Sequence, residues 1–500
     1  MARRLFPRLR RMAGVRRPGG VTLDRRTVLT GLASSSLAAC LRRDGLIRVE
    51  GPSRVAVVGA GLAGLAAATR LAAAGVGVTV YEAGARVGGR TYTERAVFPG
   101  RIVDLGGEFV DSWHDQLRGL VSALGLQLED TWEDDDVQDT LAYMHGDIFG
   151  EDELEVFERA MKEAVGRAVA AHPFDPGDIT YRAHDAFEKE LDGISASDWL
   201  DRARIPRDRA RAVLEAGFVS VYGGSLEEAS ALVLLQEVVG AGPESDERYV
   251  IKGGAGQLSE LLAKRLPEGA VKLGHRLTAL DEKPPGGLEL TFEVAGQEVR
   301  APAEAVVLAL PFSTLRDVKL SVPLSAVKKR AIAELHYGAA SKVCVGITGR
   351  PWRALDSSGT VLSDSGFPYC WDATRMQDSE HGVITFFIGG TDGRLIGKVD
   401  DDLSRAAMLE VLNRVFPGAR AAARPGEQVT VPWSDEPLAK GGYALYGPGQ
   451  VTAFRGCEGE PEGRVFFAGE HTDLSAQGYM EGAVRSGVKA ARDVRAAFEG

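Results

Sequence analysis

The sequence predicts an α/β protein built around a Rossmann-like dinucleotide-binding unit. Residues 54–59 form a short β-branched run, residues 62–74 are rich in leucine and alanine with helical spacing, and residues 76–81 form a second β-branched run. A glycine-rich motif joins the first run to the helix: Gly59-Ala60-Gly61-Leu62-Ala63-Gly64. The acid Glu82 follows the second run. Strand, motif, helix, strand and acid have the order and spacing of a dinucleotide-binding βαβ unit.

Each glycine of the motif has its own physical role. Gly59 permits the tight turn after the strand, Gly61 lets the backbone approach a pyrophosphate, and Gly64 lets the helix pack closely on the strand. Ala63 lies in the same phosphate-binding turn and is included among the cofactor-binding residues. Glu82 lies about 20 residues further on, where a carboxylate accepts hydrogen bonds from ribose hydroxyls.

Composition limits the remaining function classes. A chain of 500 residues is long enough for two or three domains, and 44% hydrophobic with 26% charged residues is typical of a globular protein. The net charge of −11 argues against nucleic acid as a partner, because phosphate binding needs a clustered basic surface. We interpret the scattered Cys344, Cys370 and Cys457 as buried thiols and find no metal-ligand spacing among the histidines, so we predict no metal.

The N-terminus resembles an export signal. Arg25-Arg26 precedes a weakly apolar run over residues 27–39, which is too short to span a bilayer. The pair resembles a twin-arginine signal, so we expect the twin-arginine export machinery as a partner and a periplasmic or cell-surface location. Leu37-Ala38-Ala39-Cys40 resembles a lipobox that would make Cys40 a lipid anchor, and an ordinary small-residue cleavage site is the alternative.

A second glycine loop decides which dinucleotide is expected. Arg86-Val87-Gly88-Gly89-Arg90-Thr91 offers the Gly89 backbone beside the phosphates and Arg90 as a counter-charge. With this loop the sequence resembles the flavin-containing amine oxidase family, which comprises monoamine, polyamine and L-amino-acid oxidases. Further segments are similar to the same family: 104–111, 253–257, 271–277, 467–472 and 478–483.

The resemblance implies that the cofactor is FAD. In the family, the loop with Gly106, Gly107 and Glu108 passes beside the flavin ring, the backbone near Leu277 meets the adenine, and Glu470 after Gly469 binds the ribityl chain. The Met480 amide would bind the flavin carbonyl. Trp433 is expected to pack on the flavin, with a purely structural tryptophan as the alternative. Tyr443 stands where monoamine oxidases place a flavin-linked cysteine, so non-covalent FAD is expected.

The resemblance also assigns catalytic candidates. Lys342 matches the lysine that holds a water against the reactive flavin nitrogen, and Tyr479 matches one wall of an aromatic cage for the amine. Tyr443 is a further catalytic candidate. Asp111 falls where polyamine oxidases of the plant type carry an acid at the mouth of the active site.

The domain organisation implied by the family is interleaved, with a Rossmann-like FAD-binding domain and an α+β substrate-binding domain. After a signal peptide over residues 1–40, the FAD-binding domain comprises 52–111, 246–330 and 456–500, and the substrate-binding domain comprises a mainly helical segment, 112–245, and 331–455. The pattern predicts helices over 151–171 and 197–204, and the capping box at 225–228 predicts a helix to residue 237. Strands are predicted over 305–310, 343–347 and 383–387.

The expected reaction is oxidation of a primary or secondary amine by hydride transfer to the flavin, followed by reoxidation with dioxygen to hydrogen peroxide. The substrate is expected to be a di- or polyamine or a monoamine, with di- and polyamines favoured over amino acids. An L-amino-acid oxidase is one alternative, and it would need a buried arginine such as Arg353 or Arg375 to hold the substrate carboxylate. A desaturase or porphyrinogen oxidase with a similar FAD domain, a dehydrogenase with another electron acceptor, and a non-catalytic flavoprotein are the remaining alternatives.

Overall fold

The computed structural model describes residues 54–134, 139–170, 177–239 and 245–499. The export signal predicted over residues 1–40, including Arg25, Arg26 and Cys40, lies outside the described residues. Within the described part of the chain, no helix has the length and apolar character needed to cross a membrane.

A five-stranded parallel sheet forms the predicted dinucleotide-binding unit. Its strands come from distant parts of the chain, in the spatial order Val271–Lys272, Val78–Tyr81, Val55–Val58, Ala305–Leu308 and Val465–Phe467. All four residues of Val55–Val58 are buried, as expected for a central strand covered on both faces. The helices Leu62–Ala73 and Met480–Glu499 pack against each other beside this sheet. Strand, glycine turn, helix and strand therefore follow each other as the motif predicts.

A seven-stranded sheet forms the second large layer. Its spatial order is Ala423–Val431, Ser341–Ile347, Gly382–Ile388, Tyr369–Asp372, Ser357–Ser363, Asp139–Met144 and Asp147–Phe149. Its neighbouring strands are antiparallel except for Ser357–Ser363 and Asp139–Met144, which are parallel. The chain passes between the parallel sheet and this sheet more than once, as the predicted interleaving requires, whereas the segment boundaries stay predictions.

Smaller sheets connect the two layers. A four-stranded sheet contains Gln297–Ala303, Gly287–Val294, Arg276–Lys283 and Lys319–Ser321. A three-stranded sheet contains Phe109–Val110, Tyr249–Ile251 and Leu128–Asp130. Two short pairs complete the strands: Thr93–Glu94 with Val103–Asp104, and His336–Tyr337 with Ala444–Leu445.

The helices outside the dinucleotide-binding unit lie mainly in the middle of the chain. The remaining α-helices are Asp115–Ala123, Glu151–Val169, Ala186–Asp192, Ala196–Arg202, Arg209–Tyr222, Ala231–Val239, Gly256–Arg265, Phe312–Leu315, Ala326–Glu334, Gly390–Leu395, Asp401–Val415 and Val451–Phe454. Short 3₁₀ turns occur at Thr131–Glu133, Pro351–Leu355 and Glu470–Thr472.

Two local predictions differ from the structure. The helix predicted from residue 225 begins only at Ala231, because the Ser225 amide donates to the Glu228 carboxylate within a turn instead of opening a helix. The strand predicted over 271–277 is interrupted by Gly274, which has a φ of 68°. Its two halves consequently join different sheets, Val271–Lys272 the parallel sheet and Arg276–Lys283 the four-stranded one.

Candidate active site

A cavity of about 710 Å³ gathers most residues that the sequence predicted for the site. The predicted cofactor-binding residues that line it are Gly59, Gly61, Ala63, Glu82, Gly89, Arg90, Gly106, Gly107, Glu108, Leu277, Trp433, Gly469, Glu470 and Met480. The predicted catalytic residues that line it are Lys342, Tyr443 and Tyr479. Gly64 and Asp111 are the two predicted residues outside this lining.

The glycine turn has the shape of a phosphate cradle. A Cβ on Gly59 would meet the Ala309 carbonyl at 2.7 Å, and one on Gly64 would meet the Gly59 carbonyl at 2.0 Å, so both positions need glycine for packing. A Cβ on Gly61 would meet nothing within 4 Å, because this residue faces the open cavity. No side chain caps the helix that begins at Leu62, which leaves the amides of its first turn for an anion. Gly64 thus packs the helix while Gly61 faces the ligand space.

Glu82 lies at the end of the second parallel strand, beside this turn. Its Oε2 accepts from the Ala60 amide at 2.8 Å and its Oε1 from the Gly84 amide at 2.7 Å. These bonds fix the carboxylate at the cavity wall, in the position where a ribose hydroxyl would be recognised.

Arg90 and Glu470 form an ion pair across the cavity wall, although they are 380 residues apart in sequence. Arg90 Nη1 lies 3.0 Å from Glu470 Oε1. Glu470 also accepts from the Ala444 amide at 3.3 Å and the Gly478 amide at 2.9 Å. The two predicted cofactor residues therefore hold each other and tie the loop before Met480 to the glycine-rich loop.

The loop from Asp104 to Glu108 packs tightly between the two layers. A Cβ on Gly106 would meet the Arg90 carbonyl at 1.9 Å, and one on Gly107 would meet the Met480 side chain at 3.0 Å. Trp433 Nε1 donates to the Leu105 carbonyl at 3.0 Å. Trp433 therefore lines the cavity and also anchors this loop, so both of its predicted roles fit its position.

His471 is a cavity-lining residue that was not among the predicted site residues. Its side chain is 2% exposed, its ring lies 4.5 Å from that of Phe312, and neither ring nitrogen has a hydrogen-bond partner among the described residues. Burial lowers its pKa well below the ordinary value, and the charges of Arg90 and Lys328 add to that effect. A buried neutral imidazole without partners, at the wall of a cavity, fits a bound group that supplies them.

Lys342 is the buried cation of the site. Its Nζ donates to the Asp104 carbonyl at 2.8 Å, to the Gly106 carbonyl at 2.9 Å and to Glu108 Oε2 at 3.0 Å. An ammonium has three N–H donors, so these contacts use all of them. Burial alone would lower the pKa of Lys342, but the Glu108 carboxylate, with smaller contributions from Cys344 and Tyr443, raises that pKa above its ordinary value and favours the charged side chain.

Glu108 and Asp104 are carboxyl groups buried beside this lysine. Burial raises the pKa of Glu108, whereas the Lys342 charge and the bond from Trp371 Nε1, 2.9 Å from Oε1, act in the opposite direction. Burial raises the pKa of Asp104 to about 7, and the neighbouring Glu108 charge adds to the effect. Asp104 itself accepts from Thr93 Oγ1 and the Ala255 amide.

Aromatic rings surround the end of the cavity that lies away from the glycine turn. The rings are Phe109, Tyr369, Trp371, Phe387, Tyr443 and Tyr479. Two carboxylates, Glu108 and Glu247, line the same end. A second cavity of about 630 Å³ shares Glu108, Phe109, Glu247, Tyr369 and Trp371 with the first, so the two cavities meet at this aromatic end.

Asp111 is not placed as the sequence predicted. Its side chain is 1% exposed and lines neither cavity. Its Oδ1 accepts from the Glu247 amide at 2.8 Å and its Oδ2 from Trp113 Nε1 at 3.1 Å. The carboxylate that does line the cavity is Glu247, which the sequence reasoning missed because no local motif marks it. Asp111 positions Glu247 instead of meeting the ligand space itself.

Arg353 and Arg375 are the candidates for binding a substrate carboxylate, and both form ion pairs with Asp134. Both guanidinium groups contact Asp134, with nitrogen–oxygen distances of 2.8 Å for Arg353 and 2.7 Å for Arg375. Neither arginine lines the larger cavity, and Arg375 lines the smaller one. Among the described residues, no group of three or more His, Cys, Asp or Glu side chains could hold a metal ion.

The fold and cavity define a dinucleotide-binding oxidoreductase, and comparison with known proteins gives the family. The model of the flavin containing amine oxidoreductase family matches residues 62–495, so the chain belongs to this family. The predicted family, α/β fold class and flavin-dependent amine oxidase activity are thereby confirmed.

Relatives of known function agree with this assignment. The flavin-containing amine oxidase B of Canis lupus familiaris is 28% identical over 474 residues, which cover 89% of this chain and 86% of that protein. A pseudooxynicotine dehydrogenase of Pseudomonas sp is 26% identical over 495 residues, covering 94% and 92%. The fold is similar to that of cyclohexylamine oxidase from Brevibacterium oxydans IH-35A, with a TM-score of 0.78, 24% identity and coverage of 90% and 100%. Putrescine oxidase bound to putrescine has a TM-score of 0.75 at 23% identity, covering 89% and 99%.

Proposed function

We propose that this protein is an oxidase of primary or secondary amines that prefers di- and polyamines, uses non-covalent FAD and transfers its electrons to dioxygen. When bound, the flavin accepts a hydride from the carbon next to the amine nitrogen. The glycine turn with Glu82 would hold the adenosine and pyrophosphate portion. Gly107, Met480 and Lys342 line the same cavity, and the contact of the Gly107 position with Met480 supports a role for them beside the reacting portion of the cofactor.

The proposed substrate class rests on the negative charge at the aromatic end of the cavity. Glu108 and Glu247 line it, and the Lys342 ammonium at this end is fully engaged with Glu108 and two carbonyls. A cationic amine gains from such surroundings, and aromatic faces add to that attraction. The carboxylate of an α-amino acid would instead face Glu108 and Glu247. An amine therefore fits better than an amino acid.

Transient mixing experiments test this proposal. Purified protein is mixed without oxygen with monoamines, α,ω-diamines and α-amino acids of matched length, and the bleaching of the flavin absorbance is followed. We expect bleaching by amines and, after oxygen is admitted, one hydrogen peroxide for each amine oxidised. Faster bleaching by α-amino acids than by any simple amine would overturn the substrate class, and amine-dependent bleaching without peroxide would make the protein a dehydrogenase.

Non-covalent FAD rests on Tyr443, which occupies the cavity wall where a flavin-linked cysteine was sought. The three described cysteines, Cys344, Cys370 and Cys457, are buried and do not line this cavity. We expect acid precipitation to release all FAD into the supernatant. Flavin absorbance that stays with the precipitate would contradict this part of the proposal.

Export through the twin-arginine machinery is supported by the sequence of the first 40 residues. Replacing Arg25 and Arg26 by lysine should abolish export while the retained protein stays active in the cytoplasm. The mass of the mature N-terminus decides between a lipid-carrying Cys40 and ordinary cleavage. Undiminished export of the double variant would show that another route is used.

A further inference from the structure

An amine substrate must lose a proton before it can be oxidised. Alkylammonium groups have a pKa of roughly 10, so the substrate arrives charged at neutral pH. A hydride leaves readily only from the carbon beside a neutral nitrogen, whose lone pair stabilises the developing cation. The proton therefore goes either to bulk water before binding or to a base inside the site.

Glu108 has the position that such a base requires. It lies where the two cavities meet, with 7% of its surface exposed, at the end of the loop that packs on Met480 through Gly107. Lys342 Nζ holds one carboxylate oxygen at 3.0 Å and Trp371 Nε1 holds the other at 2.9 Å. Each oxygen keeps a second acceptor position, because a carboxylate oxygen has two lone pairs.

Lys342 cannot itself take the proton while these contacts persist. All three of its N–H groups are donated, and the neighbouring Glu108 carboxylate favours its charged form. The lysine is thus the counter-ion that keeps Glu108 ionised before substrate arrives. Trp371 Nε1 donates a neutral hydrogen bond to the same Glu108 carboxylate.

The balance of charge around Glu108 favours an incoming cation. Asp104, Glu108 and Glu247 are each no more than 7% exposed, and Lys342 is the single cation that contacts Glu108. The other titratable groups near the pair are Cys344, a buried thiol, and Tyr443, which lies at the cavity wall. An ammonium that enters the site near Glu108 and Glu247 lowers the excess negative charge of the site. Transfer of its proton to a carboxylate does not change the total charge, so the excess stays lower.

We propose that Glu108 is the catalytic base that accepts the proton of the substrate ammonium. One N–H bond breaks, its electron pair stays on nitrogen, and an O–H bond forms on the carboxylate. The products of the step are a neutral amine and a neutral Glu108 carboxylic acid. Hydride transfer from the adjacent carbon then follows as the next step of amine oxidation. The inference rests on the proposed function.

The buried environment supports this role. Burial raises the pKa of Glu108 and the nearby Glu247 charge adds to it, while Lys342 and Trp371 oppose the shift. Glu247 lines the same two cavities and is held through its backbone amide by Asp111. It serves as the matched control, because it shares the burial and the negative charge of Glu108.

The decisive experiment is the pH dependence of flavin reduction in Glu108→Gln. The wild type should reach its maximal rate well below the pKa of the free amine. In the variant the rate should follow the neutral fraction of the amine, with a loss of about 100-fold or more at pH 7 and recovery towards pH 10. Amines made less basic by fluorine substitution should restore the rate of the variant at pH 7.

Two further variants separate the base from a structural role. Glu247→Gln should weaken substrate binding and leave the shape of the pH profile unchanged. Glu108→Asp keeps a carboxylate and should retain the wild-type profile at a lower rate, which tests the proposal even where Glu108→Gln binds FAD poorly.

A measurement without turnover gives the same test. Binding of an amine that has no hydrogen on its α-carbon should produce the infrared band of a protonated carboxyl group in the wild type but not in Glu108→Gln. An equal loss of rate at all pH values, or a carboxyl band that persists in the variant, would overturn the proposal. Failure of every amine to reduce the wild-type flavin would instead refute the proposed function.

Discussion

Replacing Asp111 tests whether this residue meets the substrate or positions the residues that do. The carboxylate is 1% exposed and accepts from the Glu247 amide at 2.8 Å and from Trp113 Nε1 at 3.1 Å. A hydrogen bond to a charged group contributes about 1.5–3 kcal/mol. Asp111→Ala removes both acceptors and leaves two buried donors unsatisfied, so the free energy of unfolding should fall by about 3–5 kcal/mol. Asp111→Asn keeps one acceptor oxygen and should lose about half as much.

The same contacts determine the expected kinetics. The Trp113 and His114 rings pack edge-on against Tyr479, at centroid distances of 5.5 and 5.2 Å, and Glu247 lines both cavities. Asp111 therefore supports one aromatic wall and one acid of the substrate end. Loss of its carboxylate should lower kcat/KM for a monoamine and for a diamine of equal length by similar factors.

Urea unfolding and steady-state kinetics of the two variants provide the assay. Glu410→Gln is a suitable control, because Glu410 pairs with Arg420 at the surface and such exposed pairs contribute about 1 kcal/mol or less. Wild-type stability of Asp111→Ala together with a loss confined to diamines would refute the reasoning. That result would return Asp111 to the mouth of the site, as the sequence first suggested.

Three further predictions concern buried charged or polar groups. Lys342→Met should lower the free energy of unfolding by about 3–5 kcal/mol, because it leaves Glu108 as an uncompensated buried charge, and adding Glu108→Gln should recover part of the loss in urea unfolding. His471→Phe replaces the imidazole by an aromatic ring without nitrogens and should weaken FAD binding about tenfold in fluorescence titrations of the apoprotein. Burial raises the pKa of Glu458 from 4.5 to about 7, so its folded form holds a proton that the unfolded chain has lost. The stabilising contribution of this protonated carboxyl group is fully present below pH 4.5 and is lost as the pH rises through 7. The free energy of unfolding of the wild type should therefore fall relative to that of Glu458→Gln between pH 4.5 and 7.

The cofactor end of the cavity could be predicted from sequence because its determinants are local. Gly59, Gly61 and Gly64 lie within six residues; the packing of one turn requires Gly59 and Gly64, and Gly61 leaves the ligand space open. The strand, the helix and Glu82 follow within about 25 residues of that turn, at the spacing a βαβ unit imposes. A pattern of this length is readable without knowledge of the rest of the fold.

The substrate end could not be predicted in the same way, because its residues meet only through the tertiary fold. Glu108 and Trp371 are 263 positions apart and come from a loop and from the seven-stranded sheet. Glu247 lies in residues 245–248, which form no helix or strand, and Asp111 holds its amide. Alternation along Phe109–Val110 would place residues 109 and 111 on one face, but the strand ends at Val110 and Asp111 turns into the protein.

The loop from Asp104 to Glu108 connects the two halves of the site. Gly106 and Gly107 allow its backbone to lie against Arg90 and Met480 on the cofactor side, where a Cβ on Gly106 would collide with the Arg90 carbonyl and one on Gly107 would press on the Met480 side chain. The carbonyls of Asp104 and Gly106 and the carboxylate of Glu108 together hold the Lys342 ammonium. A displacement of this loop would therefore disturb the cofactor surface and the charge balance of the substrate end at the same time. The glycines allow the close approach, and the lysine fixes the carboxylate that the substrate would meet.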